Sequence, residues 1–201
     1  MIAPTGTPPS PDLDKSRLDL IRIASPKTWW RIYPARQPNP LGWGPGLSRF
    51  GAVDGRAFSV VYLGSTFRVV FIETLVRDRG DGRTGPLLIA YSELAALNVA
   101  TIETIDTLAL VDLCGSGGLK MGVPSDVARA SDQRLARQWS EAFHRRKGTD
   151  GVHYPSRLIG EINIAVYDRA RGKLAAAEVG PLTNRHELLG AVLEELSIEV
   201  I

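Results

Sequence analysis

The chain has 201 residues, 44% hydrophobic and 23% charged, the balance of a globular protein with a core of its own and one domain of moderate size. Its 24 basic and 22 acidic residues leave a formal net charge of +2 with no Lys/Arg run, so direct DNA or RNA contact is not expected. The single Cys114 excludes an internal disulfide, and His144, His153 and His186 are scattered without zinc-like spacing. These features favour a reducing, cytoplasmic setting and a metal-independent activity. No apolar run is long enough to span a bilayer, and no basic segment followed by an apolar one opens the chain, so neither membrane insertion nor secretion by that route is expected.

Residues 1–15 carry Pro4, Pro8, Pro9 and Pro11 with few large apolar groups, and read as a flexible tail. Leu18 to Ile23 alternates loosely, and the aromatic, β-prone segment Thr28 to Tyr33 predicts a strand with Arg31 near its middle. The following PARQPNPLGWGPGL is too rich in Pro and Gly for regular structure and reads as a long loop. Phe58 to Gly64 is the next strand, after which Ser65 or Thr66 caps a helix running to about Asp78. On that helix Val69, Ile72, Glu73 and Val76 stand at i, i+3, i+4 and i+7, so a carboxylate shares the apolar stripe and faces inward or into a cleft. The plain alternative is that Glu73 pairs with Arg68 or Arg77 along the same helix.

GPLLIAY predicts a strand, SELAALN a short helix or turn, and Thr107 to Leu113 another strand. Ser131 to Gly148 has a Ser cap, apolar Leu135, Trp139 and Phe143, basic residues in the last turn and a closing Gly, and is the most strongly signalled helix. Short strands follow at GVHYPSR, INIAVYD and KLAAAEV, and a last amphipathic helix at Asn184 to Leu196. Strands outnumber helices without βαβ alternation, which predicts an α+β fold.

Three motifs fail on inspection. GWGPGL has Leu47 where the dinucleotide fingerprint needs Gly and Pro45 where it needs a helix. CGSGGLK lacks the Gly-Lys-Ser/Thr ending of a phosphate loop and reads as a turn. Asp150, His153 and Ser156 hold the residue types of a hydrolase triad, but Gly151 and Pro155 argue against one helical face carrying all three, leaving His153 structural or at the surface.

What remains is a set of polar residues in apolar settings: Arg31 in WWRIY, Arg49 in LSRFG, Tyr62 and Glu73 in VVYLGSTFRVVFIETL, and Ser156 in DGVHYPSR. In order and local context these segments resemble the RES domain, named for its Arg, Glu and Ser, the toxin half of bacterial RES and Xre toxin–antitoxin pairs. The resemblance is strongest over residues 29–160 and places one catalytic domain over residues 16–201. It implies a single-domain α+β fold similar to ADP-ribosyltransferase toxins, with central mixed and antiparallel sheets around an NAD cleft and flanking helices. It further implies that NAD is consumed as a substrate without a metal, and that an Xre-type antitoxin with a helix-turn-helix domain covers the cleft. Carried over by position, catalytic roles fall on Glu73, Arg31 and Tyr62, and NAD contacts on Arg31, Arg49, Tyr62 and Ser156. The loop before Arg49, with its prolines and Trp43, departs from the family pattern and reshapes the cleft mouth, which bears on substrate or acceptor preference.

These residue types suit NAD cleavage. Breaking the bond between ribose and nicotinamide builds positive charge on the sugar, which a carboxylate such as Glu73 stabilises. Nicotinamide leaves a pyridinium as a neutral molecule, so no acid is needed to protonate it. Arg31 and Arg49 offer donor forks for the pyrophosphate, Tyr62 a ring against which nicotinamide stacks, and Ser156 a hydrogen bond to a phosphate or ribose oxygen. Three functions are compatible with this set: an NAD-degrading toxin that transfers ADP-ribose to water or phosphate, a transferase that modifies a host protein, and an enzymatically silent binding module on the same fold.

Overall fold

A computed structural model of the chain describes residues 6–15, 17–42, 44, 46–79, 82 and 84–201. The strands are β1 (Leu20–Ile23), β2 (Lys27–Pro34), β3 (Val60–Gly64), β4 (Leu87–Ile89), β5 (Leu97–Thr104), β6 (Leu108–Asp112), β7 (Gly151–Pro155), β8 (Ile162–Tyr167), β9 (Leu174–Pro181) and β10 (Ile198–Val200). Eight of them form one mixed, curled sheet in the order β1-β6-β7-β8-β3-β2-β5-β9, antiparallel except between β6 and β7, while β4 and β10 make a separate parallel pair. The helices are α1 (Phe67–Phe71), α2 (Tyr91–Ala95), α3 (Gly117–Lys120), α4 (Asp126–Arg129), α5 (Arg134–Arg145) and α6 (His186–Glu195).

Period-two alternation along the strands distributes the core. On β3, Val61 and Leu63 join Trp29, Ile102, Leu110 and Ile164 on one face, while Val60 and Tyr62 turn to the other, where α5 packs Trp139 and Phe143 against Val152, Ala165 and Tyr167. A third cluster forms where Phe67, Val70 and Phe71 of α1 meet Leu189 and Val192 of α6 over Ile32. The expected α+β architecture of mixed sheet and flanking helices is the one observed.

Several elements differ from expectation. β5, a central strand, was not expected from its sequence. α5 starts at Arg134 rather than after a Ser131 cap, and its first turn is closed by Asp132, whose Oδ1 accepts from the Arg134 N–H at 2.9 Å. CGSGGLK turns at Gly115 and then forms the single-turn α3. Of the segment expected to be a flexible tail, residues 1–5 lie outside the described residues. The rest lies against α5: Leu13 is 5% exposed in the core, the Trp139 Nε1–H donates to the Thr7 carbonyl at 3.0 Å, and Arg146 donates to the Leu13 carbonyl. One buried leucine and two backbone acceptors hold a proline-rich stretch that its composition alone would leave free.

Candidate active site

The site begins with a parting of two strands. β2 and β3 are joined in register at Trp30↔Gly64. Continued antiparallel pairing would set Arg31 against Leu63 and Ile32 against Tyr62. Instead the strands splay, and these four residues line a cleft of about 410 Å³ between them. Gly64 is required at the apex, because a Cβ there would lie 2.5 Å from the Cγ1 atoms of both Val69 and Val70, so α1 rests directly on the end of the strand.

Thr66 caps α1, its side chain accepting from the Val69 N–H at 3.1 Å, as expected. The helix then widens into a π turn over Ile72–Val76, with the Arg77 N–H bonded to the Ile72 carbonyl at 2.8 Å. This turn carries Glu73, Thr74 and Arg77 to the cleft wall. Neither expected helical partner takes the Glu73 charge. Arg68 reaches Glu161 and Glu195, and Arg77 lies 3.8 Å from Asp78. Among the described residues no basic side chain lies within ion-pair distance of Glu73. Its observed partner is Ser156, which is 2% exposed and donates its hydroxyl to Glu73 Oε1 at 2.7 Å while accepting from the Leu158 N–H at 3.2 Å. Ser156 is thus a positioning group for the carboxylate in this structure.

The other expected residues converge on the same cleft, each tied to the loop region before β3. Tyr62 donates its hydroxyl to Ser48 Oγ at 2.8 Å and accepts from the Phe50 N–H at 2.8 Å, pinning the segment on both sides of Arg49. Burial pushes the Tyr62 phenol above its usual range, so it stays neutral. Arg49 is 8% exposed, with Nη1 3.4 Å from the Val127 carbonyl, and burial lowers its pKa. Arg31 donates to the Pro40 carbonyl and lies over the Tyr33 ring, 5.9 Å from its centroid. Burial pushes its guanidinium down to about 10, still cationic at neutral pH. Trp43 and Pro45 of this loop lie outside the described residues.

The sequence reading gave no place in the cleft to Arg77, Tyr154, Arg157 and Asn163, which line it. Tyr154 and Arg157 flank Ser156 within DGVHYPSR, and Arg77 stands one helical turn beyond Glu73, so nearness in the chain was the available signal. Asn163 interrupts an apolar strand between Ile162 and Ile164, a polar residue where both faces are covered. The cleft therefore sets four arginines near Glu73, of which Arg157 is paired with Asp78 and Arg77 lies close to the same carboxylate, a field suited to an anionic ligand.

The triad types do not assemble: Asp150 is held by Lys173 at 2.8 Å, whereas His153 Nδ1 lies 2.9 Å from Asp112 Oδ1 and Ser156 is bound to Glu73. Asp112, Cys114 and His153 do bring potential ligand atoms within 4.8 Å of one another, a grouping that sequence spacing hid. Burial, with Asp112 beside it, pushes the Cys114 thiol up to about 11.

Compared with known proteins, residues 20–187 match the family model described as the RES domain. The chain belongs to the RES domain family. Over 128 residues it is 38% identical to a protein of Sinorhizobium fredii described as "Probable toxin y4kH", covering 63% of this chain and 100% of that one. Its fold is similar to a chain in the crystal structure of the M. tuberculosis MbcT–MbcA toxin–antitoxin complex, with a TM-score of 0.61 and 20% identity over 88% of this chain and 91% of that one. In this RES domain, Arg31, Glu73 and Ser156 stand on three separate elements, and only the fork, the π turn and the β7–β8 hairpin bring them together.

Proposed function

We propose that this RES domain is the toxin of a toxin–antitoxin pair, and that it consumes NAD by cleaving the nicotinamide–ribose bond. The toxin reading is supported by the description of its 38% identical relative and by a fold shared with a chain of a toxin–antitoxin complex. The cleavage reading is carried by one observation: the Glu73 carboxylate, clear of ion pairs among the described residues, is held by Ser156 at the wall of a cleft ringed by Arg31, Arg49, Arg77 and Arg157.

In this reading the arginines grip the pyrophosphate, Tyr62 or Tyr154 offers a ring face to nicotinamide, and Glu73 faces the ribose. The C1′–N bond breaks with its electron pair moving to the pyridine nitrogen. Positive charge grows on the ribose, where the oriented carboxylate stabilises it. An acceptor oxygen, from water or phosphate, bonds to C1′, and when water is the acceptor its proton is released. Transfer to a protein side chain uses the same first step. An Xre-type antitoxin with a helix-turn-helix domain would cover the cleft, DNA contact belonging to that partner.

The test is mass spectrometry of NAD incubated with purified protein, alone, with phosphate and with host lysate. Loss of NAD with release of nicotinamide is expected, and the second product identifies the acceptor as water, phosphate or protein. Intact NAD in every arm, together with unimpaired growth of cells expressing the chain alone, would sink both the cleavage and the toxin readings.

A further inference from the structure

Asn163 is 4% exposed, lines the cleft, and its Nδ2 finds no hydrogen-bond acceptor among the described residues. An unanswered buried amide is costly, and such groups are uncommon in native proteins. Its position is fixed by sheet register: Trp30, Gly64, Asn163 and Tyr154 stand in one row across β2, β3, β8 and β7. This row is the closed end of the fork. Gly64 brings Val70 to the row as well, its Cγ1 2.5 Å and the Asn163 Oδ1 3.3 Å from where a Gly64 Cβ would stand, and Tyr62 and Tyr154 add aromatic surface to the cleft lining.

The same corner holds the carboxylate. Ser156, the anchor of Glu73, is two residues beyond Tyr154, and its backbone N–H donates to the Glu161 carbonyl, two residues before Asn163. A flat ring seated on the row would thus lie beside the carbon that Glu73 is placed to stabilise.

Resting on the NAD reading above, we infer that Asn163 is the residue that recognises the leaving group, its side-chain amide paired with the carboxamide of nicotinamide. Two primary amides face to face exchange N–H···O bonds in both directions, so the unanswered Nδ2 gains an acceptor and nicotinamide gains its own. A site built around such a bond discriminates strongly against ligands that lack it.

The experiment compares NAD with the dinucleotide whose pyridinium carries no carboxamide, in the parent, Asn163→Asp and Asn163→Leu, with melting temperatures recorded for each. The intrinsic reactivity difference between the two dinucleotides cancels when the preference of a variant is divided by that of the parent. The negative charge of Asn163→Asp acts on both pyridinium cations alike. The preference for NAD in kcat/KM should shrink by roughly 10–100-fold in each folded variant. An unchanged preference overturns the assignment of Asn163 while leaving NAD cleavage standing, whereas a parent that does not consume NAD removes both. A further arm needs no variant: nicotinamide should inhibit the parent at concentrations where pyridine does not, and equal inhibition overturns the inference.

Discussion

Glu73 occupies a helical position that packing alone would fill with an apolar side chain, and the arrangement around it separates two roles for mutation to distinguish. Glu73→Gln keeps the shape and the acceptor for Ser156 but removes the charge. It should leave the melting temperature near that of the parent while lowering NAD turnover by roughly 100-fold or more. Near-parental turnover in a folded variant would return Glu73 to a structural role. Arg31→Ala should behave differently, because its loss removes a cation that grips the ligand in ground and transition states alike. Steady-state kinetics should show KM for NAD raised by roughly 10–100-fold with a smaller effect on kcat. A dominant fall in kcat would mean instead that the Arg31 tether to Pro40 organises the reacting groups.

The element that sets the site is the junction of β3 with α1. Gly64→Ala would push a methyl into Val69 and Val70, two side chains with little χ1 freedom, on the last row before the strands part. Overpacking of this kind costs about 1–3 kcal/mol, and the melting temperature should fall by several degrees. An unshifted melting curve would mean that α1 can lift without penalty. The strand, the Thr66 cap and the inward placement of Glu73 were legible because alternation, capping and a 3.6-residue stripe are local signals. The π turn was not, since nothing in IETLV marks one extra residue per turn, and with it went the reason Glu73 escapes an ordinary helical ion pair. β5 was hidden for another reason: Val99, Ala100 and Ile102 are buried along a strand with Thr101 and Thr104 also covered, so period two is lost where both faces meet protein. Asn163 had no signal linking it to Glu73, because it is sheet register that sets it beside Gly64 and Tyr154.

At the scale of the whole molecule, stability should depend on pH through His144, which stacks on Phe58 with ring centroids 3.9 Å apart and planes 7° from parallel. Burial first, and then the nearby Arg169, lower its pKa below the usual 6.5. The unfolded chain therefore binds a proton more readily than the folded one. The contribution is fully present above about pH 6.5 and is lost as pH falls through the depressed folded value. Melting curves of the parent should drop between about pH 7 and 5 more steeply than those of His144→Gln, and parallel curves would remove His144 as the cause. A different consequence follows from the fork between β2 and β3. A cavity made by ending a hydrogen-bonded ladder cannot be resized smoothly, because pairing advances or retreats by whole residues, about 3.3 Å at a time along a strand. One more pair would close Arg31 against Leu63, and one fewer would release Gly64 from beneath α1. Variation in what such a pocket accepts is therefore channelled into the connection between β2 and β3, where a change of length or side chain need not break a ladder and the jaws keep a fixed gauge.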